Sequence, residues 1–370
     1  MAEPQFELVV VADPAGLAVL DALPFDLTAT RVAFDKPHLA QARNVGIAAA
    51  GGDVLAFLDD DAVAEPGWLA ALTQPIFQGA SAATGAVRGR NGLSFQTQGE
   101  VVNARAVVRQ TATPESGETL KLIGTNMAIS RAAMDAYGAF DPTLAFYLDD
   151  TELSWRLRTE DTRYVPEAVV HHRSAASDRR TTMRKPLGLF DVGRSIAIFL
   201  RRHAEPSDLQ SALKAHRADQ SRRLVAHMVR GTAEPRDIGR LMADLERGIE
   251  VGSQAQLSDI PPPAGRGSYS PWQRNVQPPV HLRLTHRLNE KRTLADASGD
   301  ALNGHPTTVL SLTRTGLRHR MTYTDTGVWL QRGGTFGRSN RNRSASFNIR
   351  LNQCAEKETK RLARARLCLN

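Results

Sequence analysis

Along the first sixty residues, short runs of aliphatic and β-branched side chains alternate with segments whose apolar positions recur at helical spacing. Glu7 to Val11 (ELVVV) is closed by Asp13-Pro14, the pattern of a strand covered on both faces. Leu17 to Leu23 reads as a short helix and Ala29 to Phe34 as a second strand. Leu39 to Ala50 is an Ala-rich helix with Leu39, Val45 and Ile47 apolar, stopped by Gly51-Gly52. Val54 to Leu58 is again a buried strand, and it ends in Asp59-Asp60-Asp61. This alternation has the spacing of βαβ units and predicts an α/β domain with a mostly parallel sheet flanked by helices. In such sheets ligands gather off the carboxyl ends of the strands, so Asp13 and the aspartate triplet belong to one rim.

The pattern changes beyond residue 185. Leu187 to Arg202 and Pro206 to Gly252 keep helical spacing, broken only around Gly231 to Pro235. Ser253 to Pro279 is rich in Pro, Gly, Ser and Gln, the composition of a linker. Three strands are predicted from Thr307 to Gln331, and a basic helix after Ala355. The expected division is an α/β domain at 1–185, a helical extension at 186–252, a linker region at 253–304 and a small basic, partly β region at 305–370.

Composition excludes several classes. With 41% hydrophobic and 23% charged residues the chain can bury a sizeable core, so wholesale disorder is out. The only cysteines, Cys354 and Cys368, sit near the end, which excludes a disulfide scaffold and fits a reducing compartment. No run reaches the roughly 18 apolar residues of a membrane span, and the expected location is cytoplasmic. The net charge of +8 is unevenly spread. Residues 261–370 hold 19 Lys/Arg against 6 Asp/Glu, leaving 28 against 33 for the rest. The basicity therefore belongs to the tail, where Arg314, Arg318, His319, Arg320, Arg332, Arg338, Arg341, Arg343 and Lys360 to Arg366 suggest a cationic surface. Such a surface suits a solvated accessory region, or peripheral attachment to an anionic membrane or polymer. Its few aromatics form no stacking platform, which argues against specific nucleic-acid binding.

The aspartate triplet is the strongest local chemistry. Adjacent carboxylates repel unless a cation compensates, and hard oxygen ligands select Mg or Mn; a solvated acidic turn is the plainer reading. Strand alternation turns Asp60 away from Asp59 and Asp61. Asp149, Asp150 and Glu152 are acids at one helix start, where they favour the macrodipole. Like charge among them would raise a carboxylate pKa, that of Asp150 included. Arg43-Asn44 reads equally as a ligand contact or a cap, and Asn126 equally as a pocket residue or a turn. The Arg88 to Gly92 turn carries two cations that would suit an anion, although most such turns are solvated loops.

The stretch ARNVGIAAAGGDVLAFLDDDAVAEPGWL, Ala42 to Leu69, resembles family 2 of the nucleotide-sugar glycosyltransferases, which have the GT-A fold. The likeness continues through Gly124-Thr125-Asn126-Met127-Ala128-Ile129-Ser130-Arg131, then Asp149-Asp150-Thr151-Glu152-Leu153-Ser154-Trp155-Arg156-Leu157, then Val169-Val170-His171-His172. Four motifs in one order are far more specific than any one alone.

The resemblance implies inverting transfer of a sugar from a nucleoside diphosphate sugar to an acceptor hydroxyl, on a saccharide or lipid-linked acceptor. It implies Asp150, beside Asp149, as catalytic base, and Asp61, Asp59 and His172 as ligands of Mg or Mn. Asp13, Arg43, Asn44, Asp59, Asp60 and Asn126 fall on the donor side. The chain departs from the pattern at its start: the first strand-helix unit is missing, and Asp13 alone remains of the acidic pair that follows the next strand. A late start, a replacement segment, or an inactive nucleotide-sugar or polyanion binding relative would each account for this.

Overall fold

The computed structural model describes residues 4–23, 27–172, 179, 181, 183, 185–272, 281–339 and 351–366. The first elements are β1 (Val9–Ala12), α1 (Pro14–Asp21), β2 (Thr30–Ala33), α2 (Leu39–Ala49), β3 (Val54–Phe57), β4 (Ala62–Ala64) and α3 (Trp68–Phe77). They continue with β5 (Ala82–Arg88), β6 (Phe95–Thr97), β7 (Val101–Asn103), β8 (Val108–Arg109), β9 (Glu118–Leu120) and β10 (Met127–Ser130). Then come α4 (Arg131–Tyr137), α5 (Asp149–Arg156) and β11 (Thr162–His172). A helical stretch follows, α6 (Phe190–His203), α7 (Leu209–Val229) and α8 (Pro235–Gln254). The last unit holds β12 (His281–His286), α9 (Glu290–Leu302), β13 (Thr307–Thr313), β14 (Arg320–Tyr323), β15 (Val328–Gly334) and α10 (Leu351–Arg366).

The central sheet has the order β3-β10-β5-β11-β4, with β6 beside β5. Side-chain alternation sorts it into two faces. Leu55, Ala82 and Ile129 meet α2, α4 and α5 through Ile47, Met134 and Leu153, with Phe140 from the segment between α4 and α5. Ala83, Ala128 and Val165 meet α3 through Leu72 and Ile76 on the other face. The result is the α/β/α layering of a GT-A, Rossmann-like domain.

The expectation of a mostly parallel sheet needs correction. Among the described residues of the central sheet only β5 and β11 pair in parallel, while β10 runs antiparallel to both β3 and β5. The reason is connectivity: β10 returns from the β7 to β9 excursion without a helical crossover, and a parallel pair requires one. β1 and β2 form a separate parallel pair, and among the described residues neither β1 nor β3 has a ladder partner on its other edge. The side chain of Glu7 bridges the two, its Oε1 accepting the N–H groups of Gly51 at 2.7 Å and Gly52 at 2.8 Å.

The expected linker also differs. Residues 281–302 are not linker but β12 and α9, and β12 forms one sheet with β13, β15 and β14. Residues 255–272 form a strap laid on the α/β domain. Ala139 N–H donates to the Pro261 carbonyl at 2.9 Å, and Gly267 N–H to that of Ala50 at 3.1 Å. Arg266 grips the Gly51 carbonyl and Asp53, while Trp272 stacks on Phe6 at 5.6 Å. The composition is that of a linker, yet this backbone finds partners on the domain surface.

The charged tail is less bare than its sequence suggests. His319 is buried, its Nε2 2.9 Å from the Gly334 carbonyl. Arg332 pairs with Glu290, Arg361 with Glu358 and Lys360 with Glu356. Arg341 and Arg343 lie outside the described residues.

Helices α6 and α8 cross unusually closely because glycines line the contact. A Cβ at Gly193 would overlap the Leu245 carbonyl oxygen, one at Gly248 that of Phe190, and one at Gly252 that of Arg194. Backbone has no room to rotate away as a long side chain does, so adding atoms here forces the helices apart. Gly248→Val should cost about 1–3 kcal/mol by overpacking. Urea unfolding of the full chain measures it, and an unchanged midpoint would mean that the helices do not meet there.

Candidate active site

The site begins where β3 ends. Asp59 and Asp61 flank the exposed Asp60 and lie half-buried against β11, whose last residue is His172. The antiparallel pairing of β4 with β11 sets His172 opposite Ala62, one residue beyond Asp61. His172 Nε2 lies 2.9 Å from Asp61 Oδ1. One ligand atom each from Asp59, Asp61 and His172 fall within 4.8 Å of one another. Two carboxylate oxygens and an imidazole nitrogen make a donor set for a divalent ion. The buried Nδ1 of His172 has no hydrogen-bond partner among the described residues, which leaves the ring with a nitrogen to spare.

Beside this group, α5 starts on a strained turn. Tyr147 and Leu148 both have left-handed backbone, φ 72° and 66°, a conformation costly for side chains of this size. The turn sets Asp149 and Asp150 at the helix N-terminus. Arg43, from the middle of α2, joins the two regions. One guanidinium nitrogen binds Asp149, another lies 3.5 Å from Asp59 Oδ1, and the Phe140 ring sits beneath it at 5.3 Å. Gly124 makes the space, since a Cβ there would collide with the guanidinium. Arg43 is thus a bridge between carboxylates rather than a helix cap.

Asp150 has its own partners. Its Oδ2 accepts the Gly124 N–H at 2.9 Å and lies 3.6 Å from Lys121 Nζ, which also pairs with Glu100 at 3.2 Å. Burial alone would raise its pKa, but Lys121, Arg43 and the Gly124 N–H outweigh it and hold Asp150 below the usual carboxylate range. The expectation of a raised Asp150 is therefore corrected: like charge is present, but the nearer cations win. Burial does raise Asp149 and Asp59, against the pull of Arg43. Glu152 takes no part in the cleft. It is fully buried between Arg156 and His203.

Three residues expected on the donor side are engaged elsewhere. Asn44 closes a two-way bond with the Phe140 backbone, donating to its carbonyl at 2.8 Å and accepting its N–H at 2.9 Å. Asn126 is wholly buried, donating to the carbonyls of Ala86 and Ala168 and accepting from Trp68 Nε1. Asp13 caps α1 through the Gly16 N–H. Each short polar side chain satisfies backbone that the fold would otherwise leave unpaired. The Arg88 to Gly92 turn is likewise an internal joint, since the Met321 N–H donates to the Asn91 carbonyl at 2.9 Å.

Lys121 and Glu65 are the site-side residues that motif reading passed over. Lys121 lies between recognisable segments, and its role depends on contacts 21 and 29 residues away with Glu100 and Asp150. Glu65 Oε1 is 2.6 Å from Nε2 of His171, and the His171 ring packs on Trp329 at 4.4 Å. The C-terminal unit therefore presses on the strand residue next to His172.

Residues 3–138 match the family model described as Glycosyl transferase family 2, and the chain carries a glycosyltransferase domain of this family. No curated protein matches the chain. The matched segment contains Arg43, Asp59, Asp61 and Lys121, whereas Asp149, Asp150 and His172 lie beyond it.

Arg43→Met should leave Asp149 buried without its cation and destabilise the protein by about 3–5 kcal/mol. Adding Asp149→Asn on that background should restore part of the loss, because the amide needs no counter-charge. Denaturant melts of the two singles and the double measure the coupling; strictly additive losses would mean that the pair does not interact.

Proposed function

We propose that the chain transfers a sugar, with inversion, from a nucleoside diphosphate sugar to an acceptor hydroxyl on a saccharide or lipid-linked saccharide. The observation that carries this reading is the convergence of Asp59, Asp61 and His172 beside the Arg43-Asp149-Asp150 line at the start of α5. Asp59, Asp61, Asp149, Asp150 and Glu100 outnumber Arg43 and Lys121, so the group as it stands favours a cation. Mg or Mn held by Asp59, Asp61 and His172 would supply positive charge for the departing diphosphate.

Asp150 is the proposed base. A lowered pKa keeps it ionised throughout the neutral range, ready to take the proton of the acceptor hydroxyl. As that proton moves to the carboxylate, the acceptor oxygen bonds to the anomeric carbon and the bond from that carbon to the diphosphate oxygen breaks. Arg43 holds Asp149 against α2 and so keeps the helix start in register with Asp59. The left-handed Tyr147 and Leu148 serve the same end, because strain at a site is tolerated where it aims a side chain.

A second reading, binding of a nucleotide sugar or a polyanion without transfer, draws support from the same contact. A carboxylate held by Lys121 and a backbone N–H is a weaker base than a free one. The two readings part on one measurement, release of nucleoside diphosphate in Mn with and without acceptor. Asp150→Asn and Asp61→Ala should each lower turnover by about 100-fold or more, with Asp150→Asn retaining donor affinity. Turnover indifferent to both substitutions would overturn the assignment, and donor binding without turnover in the unsubstituted protein would favour the second reading.

Lys121→Met should move the base. Without that cation the Asp150 pKa rises, so the acidic limb of the pH–rate profile should shift to higher pH while the plateau near neutrality persists. An acidic limb that does not move would show that Lys121 leaves Asp150 untouched, or that another group is the base.

A further inference from the structure

One end of the small C-terminal sheet carries a feature that sugar transfer does not use. Here β13 and β15 finish and β14 begins, so the Thr313–His319 loop and the Gly334–Arg338 turn lie side by side. Backbone hydrogen bonds tie them into one tip. Gly334 N–H donates to the Leu317 carbonyl at 2.9 Å, Phe336 N–H to that of Thr315 at 3.1 Å, and His319 N–H to that of Arg338 at 3.1 Å. Gly334 and Gly337 admit this approach, since a Cβ on either would overlap a carbonyl oxygen of the loop. The buried His319 ring anchors the tip from below.

This braced structure points apolar groups at water. Leu317 is 57% exposed and Phe336 42% exposed. Around them stand Arg314, Arg318, Arg320 and Arg338, all exposed and none in an ion pair with a described carboxylate. Other cations of the unit are spent on ion pairs, as Arg283 is with Asp300 and Arg332 with Glu290. Unpaired positive charge is thus gathered where two large apolar side chains protrude.

We propose that this tip docks on an anionic lipid bilayer, with Leu317 and Phe336 entering the headgroup and acyl boundary and the four arginines pairing with lipid phosphates. A soluble polyanion would reward the arginines but not the exposed Leu and Phe; an interface rewards both. Arginine suits phosphate oxygens because its planar fork donates two parallel hydrogen bonds. The proposal stands apart from the transfer reaction, since it uses neither the carboxylate group nor a donor.

The test is sedimentation of the full chain with vesicles of phosphatidylcholine alone or mixed with phosphatidylglycerol, at low and high salt. Binding should require the anionic lipid and weaken with salt. Leu317→Ser with Phe336→Ser should lower the partition coefficient about tenfold or more, and Arg318→Gln with Arg338→Gln should also lower it. Thermal melts confirm that each variant is folded. A Phe336→Trp reporter, which keeps an aromatic at the tip, should shift its emission to the blue on vesicles, independently of any loss of fold. No binding, binding to neutral vesicles alone, or anionic binding unaffected by Leu317→Ser with Phe336→Ser would each overturn the proposal. So would a soluble polyphosphate that binds as tightly as the vesicles without needing Leu317 and Phe336, marking a polymer-binding surface instead.

Discussion

A single buried guanidinium holds the candidate site of this molecule together. Arg43 sits almost wholly out of water between Asp149 and Asp59, and so ties α2 to the start of α5 and to the end of β3. Desolvating three charges is expensive and is repaid only when geometry is good and the remaining hydrogen bonds are met. That condition explains the neighbours: Gly124 because a side chain would displace the guanidinium, Phe140 as a ring beneath it, and Asn44 to hold the Phe140 backbone still. Residues that look in sequence like a list of ligands act here largely as a frame around one ion pair network.

The frame extends past the family 2 segment. The strap at 255–272 binds the loop between α2 and β3, next to the strand that ends in the aspartates. The C-terminal sheet reaches the opposite flank, where Trp329 covers His171, and Leu93 and Met321 share a small apolar cluster with Trp329 and Leu362. The edge strand β4 needs such cover, because an open edge with apolar side chains invites pairing with other chains. Segments that carry no motif therefore hold the start of β3 and the residue beside His172.

Electrostatics divides the chain in a similar way. The acidic body concentrates its charge in the cleft, where carboxylates outnumber their cations and the pKa values of Asp149 and Asp150 are pushed in opposite directions by burial and by Lys121. The basic unit spends part of its charge on internal ion pairs and leaves four exposed arginines at one sheet end. Net charge alone reports neither arrangement, since it sums groups that never meet.

Periodicity and short-range chemistry were enough to locate β1 to β3, α2, the helical stretch and the aspartate triplet, because each depends on neighbours in sequence. The motif order from Ala42 to His172 likewise named the fold and brought forward Asp59, Asp61, Asp149, Asp150, His172 and Arg43, which do lie together. What sequence could not decide was every matter settled by distant partners. Strand direction followed from whether a helix or a β excursion made the connection. Asn44 was claimed by a backbone group 96 residues away, and Asn126 by groups 40 and 42 residues away. The sign of the Asp150 shift turned on Lys121 and on an N–H of Gly124. Local pattern reports what a residue can do; only the packed structure decides which of its capacities is already spent.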